Sequence, residues 1–113
     1  CFRVNVIDGH VASVRVNLEK TATLEDVVDA LENFPVLDLH SSPERFIEVL
    51  DEPSRPQPRL DRDRGNGMTI TVGRVFPDNI FDYRFVALSH NTVRGAAGST
   101  ILNAELLIQK GII

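Results

Sequence analysis

The sequence predicts an α+β domain in which a mainly antiparallel sheet carries helices on one face. Its 113 residues, 42% of them hydrophobic, suffice for one globular domain with a core of its own. Apolar residues alternate with polar ones in several segments, as in half-buried strands, and recur at helical spacing in others. The resulting order, strand-strand-helix-helix-strand-strand-helix, describes two hairpins joined by helices.

The first two strands are expected at residues 2–7 and 12–18, with Asp8-Gly9 between them as a hairpin signal. A two-residue loop would place apolar and polar side chains on the same face. A three-residue loop, 8–10, keeps one face apolar, and burial specifies register strongly. We therefore predict that His10 lies in the turn, where His tolerates a left-handed backbone conformation better than most residues.

Two helices are expected in the middle of the chain. Thr23 caps the first, Asp26 lies in its first turn, and Pro35 ends it. Ser42 and Pro43 begin the second as its N-cap and first helical residue. The apolar face of this second helix consists of Phe46, Ile47 and Leu50.

The second pair of strands is expected at residues 68–73 and 81–88, with a turn at 77–79. The sheet face turned away from the helices is polar without being highly charged, which suits a wet interface or a site better than a core. That polar face comprises Arg3, Asn5, Ser13, Arg15, Thr69, Thr71 and Arg84.

The last helix ends at Gly111 and is apolar on most of its sides. A helix of this kind is buried on more than one side, so in a domain of this size we expect it to pack on a partner surface. The first residue is Cys rather than Met, which suggests a fragment of a longer protein.

Composition excludes several classes of protein. A net charge of −4 and a pI of about 5.3 disfavour a general nucleic-acid binder. The sequence contains no run of about 18 apolar residues, so it predicts no membrane span. Its single cysteine cannot form an intrachain disulfide. No signal peptide is recognisable.

Residue spacing alone indicates little chemistry. The three histidines, His10, His40 and His90, stand apart from one another, so we expect no metal site. The "GAAG" segment is a weak phosphate-loop pattern. Cys1 has no base nearby in sequence and is expected to be structural.

Three long segments in series resemble one family. They are "RVNVIDGHVASVRVNL", "RPQPRLDRDRGNGMTITVGRV" and "VALSHNTVRGAAGSTILNAELL". Each resembles a stretch of the aspartate-semialdehyde dehydrogenases of the archaeal and fungal type, in the same order and at similar spacing. Asn5 departs from the family pattern, which usually has Pro at that position.

The resemblance implies a two-domain, cytoplasmic, NADP-dependent enzyme of amino-acid biosynthesis. Family enzymes reductively dephosphorylate aspartyl phosphate to aspartate semialdehyde through a cysteine thiolate in the upstream Rossmann domain, so Cys1 is not that nucleophile. Residues 1–113 resemble the glyceraldehyde-3-phosphate dehydrogenase-like C-terminal domain, which supplies catalysis and dimerisation. Residues 92–113 would form the closing helix, packed on the Rossmann domain. The implied partners are the small-molecule substrate and further copies, as a dimer or tetramer, with no nucleic acid or membrane.

The resemblance also assigns site residues. Arg3 matches the arginine that binds the substrate carboxylate, and His10 matches the general acid/base. Asn91 matches an asparagine near the nicotinamide, although Asn is also a common helix N-cap. Without the resemblance, Arg3 and His10 would be interpreted as a surface strand arginine and a turn histidine.

Residues 51–67 form a long, Pro- and Arg-rich connection that is either an ordered functional loop or a solvated linker. Acids lie beside each of its arginines, and we expect an ion-pair network at the subunit interface, close to the site. The arginines are Arg55, Arg59, Arg62 and Arg64.

Two alternative functions stay open from the sequence. One is malonyl-CoA reductase, a related activity that uses the same thiol chemistry. The other is a dimerisation module without catalysis. As an isolated fragment the chain is expected to be inactive, because the nucleophile and the dinucleotide-binding loop lie upstream in the family.

Overall fold

The computed structural model describes residues 4–113 and confirms the α+β class. A four-stranded mixed sheet has the spatial order β1-β4-β3-β2. The β1–β4 and β4–β3 pairs are antiparallel, and the β2–β3 pair is parallel. The elements are β1 (His10–Val16), α1 (Leu24–Glu32), β2 (Ile47–Leu50), α2 (Pro58–Asp61), β3 (Ile70–Pro77), β4 (Tyr83–Ser89) and α3 (Gly98–Gln109).

The expected N-terminal hairpin is wrong. Residues 4–9 contain no strand, and β1 pairs along its whole length with β4, which places His10 opposite Ser89 at the first position of β1 rather than in a turn. The reason lies at Gly9, whose φ of +117° does not fit a β-ladder. Residues 2 and 3 of the expected first strand lie outside the described residues.

The expected second helix is also wrong, because residues 47–50 form strand β2. The Ile70 N–H donates to the Phe46 carbonyl at 2.9 Å, which starts the parallel pairing of β2 with β3. Ile47 and Val49 are β-branched and suit a pleated surface. The pairing supplies the backbone groups of β2 that face β3 with partners from far along the chain, which local helical spacing cannot reveal.

Helix α1 is confirmed together with its cap. The Asp26 N–H donates to Thr23 Oγ1 at 3.1 Å, and the Thr23 N–H donates to Asp26 Oδ2 at 2.8 Å, so the pair forms a capping box. The hydrogen bonds from the Thr23 backbone and side chain lower the pKa of Asp26. The helix packs on β2 and β3.

We expect Thr23→Ala to lower the free energy of unfolding by about 1 kcal/mol, because the N-cap acceptor is lost. Urea denaturation measures this change. Thr21→Ala, an exposed threonine two residues earlier, serves as the matched control and leaves the midpoint unchanged. Equal midpoints for the two variants would show that the capping box contributes nothing.

The other elements follow the sequence closely. Strands β3 and β4 are present, and their turn is closed by Asp78 Oδ1, which accepts from the N–H groups of Ile80 and Phe81 at 3.0 and 3.1 Å. The last helix begins with a π-helical turn, Val93–Ala97, and continues as α3. Gly111, with a φ of +64°, follows its end.

The polar sheet face is only partly exposed. The connection 51–67 lies over β3 at Gly73, where an added Cβ would press against the Arg55 carbonyl oxygen. Thr69 and Thr71 are therefore buried, contrary to expectation. Strand alternation assigns a residue to a face but does not show which loop covers that face. The rest of this face stays uncovered, with Ser13, Arg15, Arg74, Phe76, Arg84 and Val86 around a shallow depression.

Candidate functional site

His10 lies at the start of the edge strand β1 with its side chain exposed. Its backbone is fixed on the C-terminal side by the ladder to β4, where it faces Ser89. Ser89 is the last residue of β4, so the chain that follows it runs close to His10. The sheet thus brings the "DGH" segment to the start of the "SHN" segment.

Gly9 joins the "DGH" and "SHN" segments at this junction by a hydrogen bond. Its N–H donates to Asn91 Oδ1 at 3.0 Å, a hydrogen bond between residues 82 positions apart. An added Cβ on Gly9 would lie 3.1 Å from Pro58 Cβ and 3.2 Å from Leu88 Cδ1, so α2 and β4 both pack tightly on it. A side chain at this position would meet both steric contact and an unfavourable backbone conformation.

Two of the three expected site residues therefore lie together. Asn91 holds the residue immediately before His10, while Arg3 lies outside the described residues. The N-cap interpretation of Asn91 is wrong for its side-chain oxygen, because Oδ1 accepts from Gly9 and not from the helix that follows. The Asn91 side chain is exposed, and its amide nitrogen, Nδ2, can still donate a hydrogen bond to a ligand.

His90, rather than Asn91, caps the start of the last helix. The sequence did not indicate this role. The Nδ1 atom of His90 accepts from the N–H groups of Thr92 and Val93, both at 3.3 Å. Its Nε2 lies 3.7 Å from Asp63 Oδ1. The ring is buried against Gly67, where an added Cβ would lie 3.1 Å from His90 Cδ2. A His just before a helix is a weak capping signal, and only the fold shows the contact with residue 67.

The connection 51–67 is ordered around a buried carboxylate. Asp61 is 0% exposed, forms an ion pair with Arg55, and accepts from Arg64 Nε at 3.0 Å and from the Gln57 N–H at 2.7 Å. Arg64 also pairs with Glu48 of β2 at 2.6 Å. Burial raises the pKa of Asp61, but the hydrogen bonds from Arg55, Gln57 and Arg64 outweigh it and lower that pKa to about 2.

Two of the four arginines expected to form ion pairs, Arg55 and Arg64, meet at Asp61, and Arg62 pairs with Asp63 at 3.4 Å. The location of such a network at a subunit interface stays a prediction.

The network around Asp61 fixes α2, and Pro58 at the start of α2 packs on Gly9. The solvated-linker interpretation of residues 51–67 is wrong, because buried groups of this segment hold the turn before His10 in place.

Arg94 stands out at the beginning of the last helix. Its guanidinium lies over the Phe46 ring, with 4.9 Å from Cζ to the ring centroid. Burial lowers its pKa, and its Nη1 is buried without a hydrogen-bond partner among residues 4–113.

His10 and Asn91 are both exposed at the surface. A cleft of about 710 Å³ lies elsewhere, between residues 40–45 and 63–69, and neither His10 nor Asn91 lines it. Within residues 4–113 no three His, Cys, Asp or Glu side chains are grouped closely enough to hold a metal ion. In the same part of the chain, every helix is too short or too polar to span a bilayer.

The fold and this junction define one class of protein. The chain belongs to the semialdehyde dehydrogenase family, because the profile of its dimerisation domain matches residues 1–94. The curated relatives it resembles are aspartate-semialdehyde dehydrogenases. The protein of Archaeoglobus fulgidus is 54% identical over 113 residues, and that of Schizosaccharomyces pombe is 48% identical over 120.

The match covers the whole of this chain, whereas it covers only 33% and 34% of those two relatives. The chain therefore spans about a third of their length. The solved structures agree. Aspartate semialdehyde dehydrogenase with NADP from Candida albicans has a TM-score of 0.84 at 47% identity, covering 98% of this chain and 33% of that one. Aspartate semialdehyde dehydrogenase II complexed with ASA, from Vibrio cholerae, has a TM-score of 0.74 at 28% identity, covering 95% and 29%.

Proposed function

We propose that this chain is the catalytic and dimerisation domain of an NADP-dependent aspartate-semialdehyde dehydrogenase, which reductively dephosphorylates aspartyl phosphate to aspartate semialdehyde. The observation that carries the proposal is the hydrogen bond from the Gly9 N–H to Asn91 Oδ1. It joins the two motifs in which the family resemblance places an acid/base and a cofactor contact. The names of the relatives support the same activity.

His10 serves as the general acid/base. An imidazole changes protonation near neutral pH, so it can accept the proton of a nucleophilic thiol and return it to the substrate carbonyl oxygen. Its position supports the role, because an exposed side chain at the end of an edge strand can face a substrate held by another domain.

Arg3 binds the substrate carboxylate. A guanidinium donates two parallel hydrogen bonds to a carboxylate, which fixes its orientation for attack. This assignment rests on the family resemblance and on the position of Arg3 seven residues before His10.

We expect Arg3→Leu in the complete protein to raise the KM for aspartate semialdehyde at least about tenfold, since a charge-assisted bidentate contact is lost. Steady-state kinetics measures KM and kcat separately. Arg45→Leu, at an exposed arginine that the resemblance does not assign, is the control and keeps the wild-type KM. An unaltered KM together with an unaltered kcat in Arg3→Leu would remove Arg3 from the site.

When bound in the complete protein, NADPH would supply the hydride for the reductive direction, and NADP would take it up in the reverse direction. The residues of this chain fit one part of that cofactor, because the Asn91 amide nitrogen can donate to a carboxamide oxygen while its Oδ1 stays on Gly9. The remaining contacts belong to a dinucleotide-binding domain, for which the structure with NADP from C. albicans is the precedent.

The domain organisation follows the same proposal. Residues 1–113 form one catalytic and dimerisation domain, and residues 92–113 pack on the dinucleotide-binding domain. In support, Ile101 and Ile108, two turns apart on α3, are 55% and 63% exposed and offer an apolar surface to another domain. The complete protein is a dimer or tetramer, as the family description of a dimerisation domain suggests.

The experiment is an activity assay on the complete protein. We expect NADPH formation from NADP and aspartate semialdehyde that depends on inorganic phosphate. Activity with malonyl-CoA alone would replace the proposal with a malonyl-CoA reductase. A protein that assembles but turns over neither substrate would be a dimerisation module without catalysis.

A further inference from the structure

We propose that Asn91 is a positioning residue that holds His10 in its catalytic orientation through the backbone of Gly9. The inference deepens the proposed function and rests on it, because it assigns the side-chain oxygen of Asn91 to His10 rather than to a cofactor. The contact that carries it is the 3.0 Å hydrogen bond from the Gly9 N–H to Asn91 Oδ1.

The backbone before His10 has no support from the sheet. β1 begins at His10, so the Gly9 N–H lies outside the ladder, and the φ of +117° at Gly9 turns the preceding chain away from β4. Asn91 supplies a partner within the protein for this N–H, in place of water. Together with the packing of Gly9 on Pro58 and Leu88, the hydrogen bond fixes the Asp8–Gly9 peptide, and so the residue that leads directly into the Cα of His10.

Asn91 is itself held from the other side. The His90 Nδ1 accepts from the N–H groups of Thr92 and Val93, so the turn on either side of Asn91 is locked to the ring. An accepting Nδ1 carries no proton, which leaves the proton on Nε2, and Nε2 faces Asp63 Oδ1 at 3.7 Å. His90 is 8% exposed, so the ring has little freedom to reorient.

Two atoms of Asn91 carry two separable roles. Oδ1 accepts from Gly9, whereas Nδ2 is the atom offered to a cofactor amide. Asn91→Asp keeps an acceptor at the Oδ1 position and removes the donor. Asn91→Ala removes both. The two substitutions therefore distinguish positioning of His10 from contact with a cofactor.

The test is steady-state kinetics of the complete protein with aspartate semialdehyde, phosphate and NADP. We expect Asn91→Ala to lower kcat roughly 10- to 100-fold, since displacement of a catalytic group by about 1 Å costs up to that much. Asn91→Asp keeps kcat within a few fold of the wild type. Asn79→Ala, at an exposed asparagine of the turn between β3 and β4, is the control and leaves kcat and the KM for NADP unchanged.

A double-substitution cycle decides between this inference and a general structural role. In the His10→Asn background, Asn91→Ala lowers kcat no further, because there is no acid/base left to position. The inference is overturned if Asn91→Ala lowers kcat as much in that background as in the wild type. It is also overturned if Asn91→Asp and Asn91→Ala lower kcat equally and raise the KM for NADP.

Failure of this inference differs from failure of the proposed function. An inactive wild-type protein, or a fully active His10→Asn variant, would end the proposed function. An active, His10-dependent protein whose kcat is insensitive to Asn91→Ala would end only the role of Asn91. If Asn91→Ala does not fold, Asn91→Ser carries the cycle, because its shorter side chain withdraws the acceptor from Gly9 while staying polar.

Discussion

Replacing His10 with Asn lowers the kcat of the complete protein about 10²–10⁴-fold, the range for loss of a general acid/base. Asn has a similar size and can form hydrogen bonds, but it does not titrate, so proton transfer to and from the reacting groups is lost. The exposed position of His10 at the end of an edge strand makes the substitution tolerable for folding. We expect the thermal midpoint to stay close to that of the wild type.

His40→Asn is the matched control, because His40 is also exposed but lies in the loop before β2. Its kcat and pH profile are expected to equal those of the wild type. An unchanged kcat in His10→Asn, measured on protein with native secondary structure, would remove His10 from the mechanism.

Replacing Asp61 with Asn lowers the free energy of unfolding by roughly 3 kcal/mol, the lower end of what breaking a buried ion pair costs. Asn matches the shape of Asp but leaves Arg55 and Arg64 without their shared carboxylate. The loss lies at the lower end because the side chains of these arginines are 17% and 33% exposed and regain some hydration. Urea denaturation at neutral pH measures the change.

Asp51→Asn is the control for this substitution, since Asp51 begins the same connection but is exposed. Its midpoint is expected to match the wild type. If Asp61→Asn proved as stable as Asp51→Asn, the connection 51–67 would be held by packing alone.

The same carboxylate makes stability depend on acid pH. The pKa of Asp61 is lowered from 3.8 to about 2 in the folded chain, so the stabilisation is fully present above the unfolded value and is lost as pH falls through the folded one. The difference in unfolding free energy between wild type and Asp61→Asn should shrink by about 2 kcal/mol across that window. Parallel pH curves for the two proteins would contradict this account.

Local sequence signals predicted the elements whose partners are close by. The Thr23 cap and the apolar spacing after it gave α1, and alternation gave β3 and β4. Strand β2 was assigned to a helix because its stability comes from pairing with β3, 23 residues further on. The first hairpin was mispredicted because the positive φ of Gly9 ends the strand conformation before β1. An Asp-Gly pair in a sequence does not distinguish such a break from a hairpin turn.

For the candidate site, too, the sequence identified some residues, and only the fold shows the others. The "DGH" and "SHN" motifs identified His10 and Asn91 as candidates, but no spacing rule predicts that residues 82 apart share a hydrogen bond. His90 and Asp61 were missed as supporting groups, since their roles depend on which backbone N–H groups and arginines the fold places around them. Thr71 was placed on an exposed face because the covering loop, 51–67, is visible only in three dimensions.

The most direct test of the catalytic assignment is a crystal structure of the complete protein with NADP and aspartate semialdehyde. We expect a His10 ring nitrogen within roughly 2.6–3.2 Å of the substrate carbonyl oxygen or of the nucleophilic sulfur, or one water away. We also expect the hydrogen bond from the Gly9 N–H to Asn91 Oδ1 to be intact in the complex. A substrate bound away from this end of β1, with His10 facing solvent, would contradict the catalytic assignment.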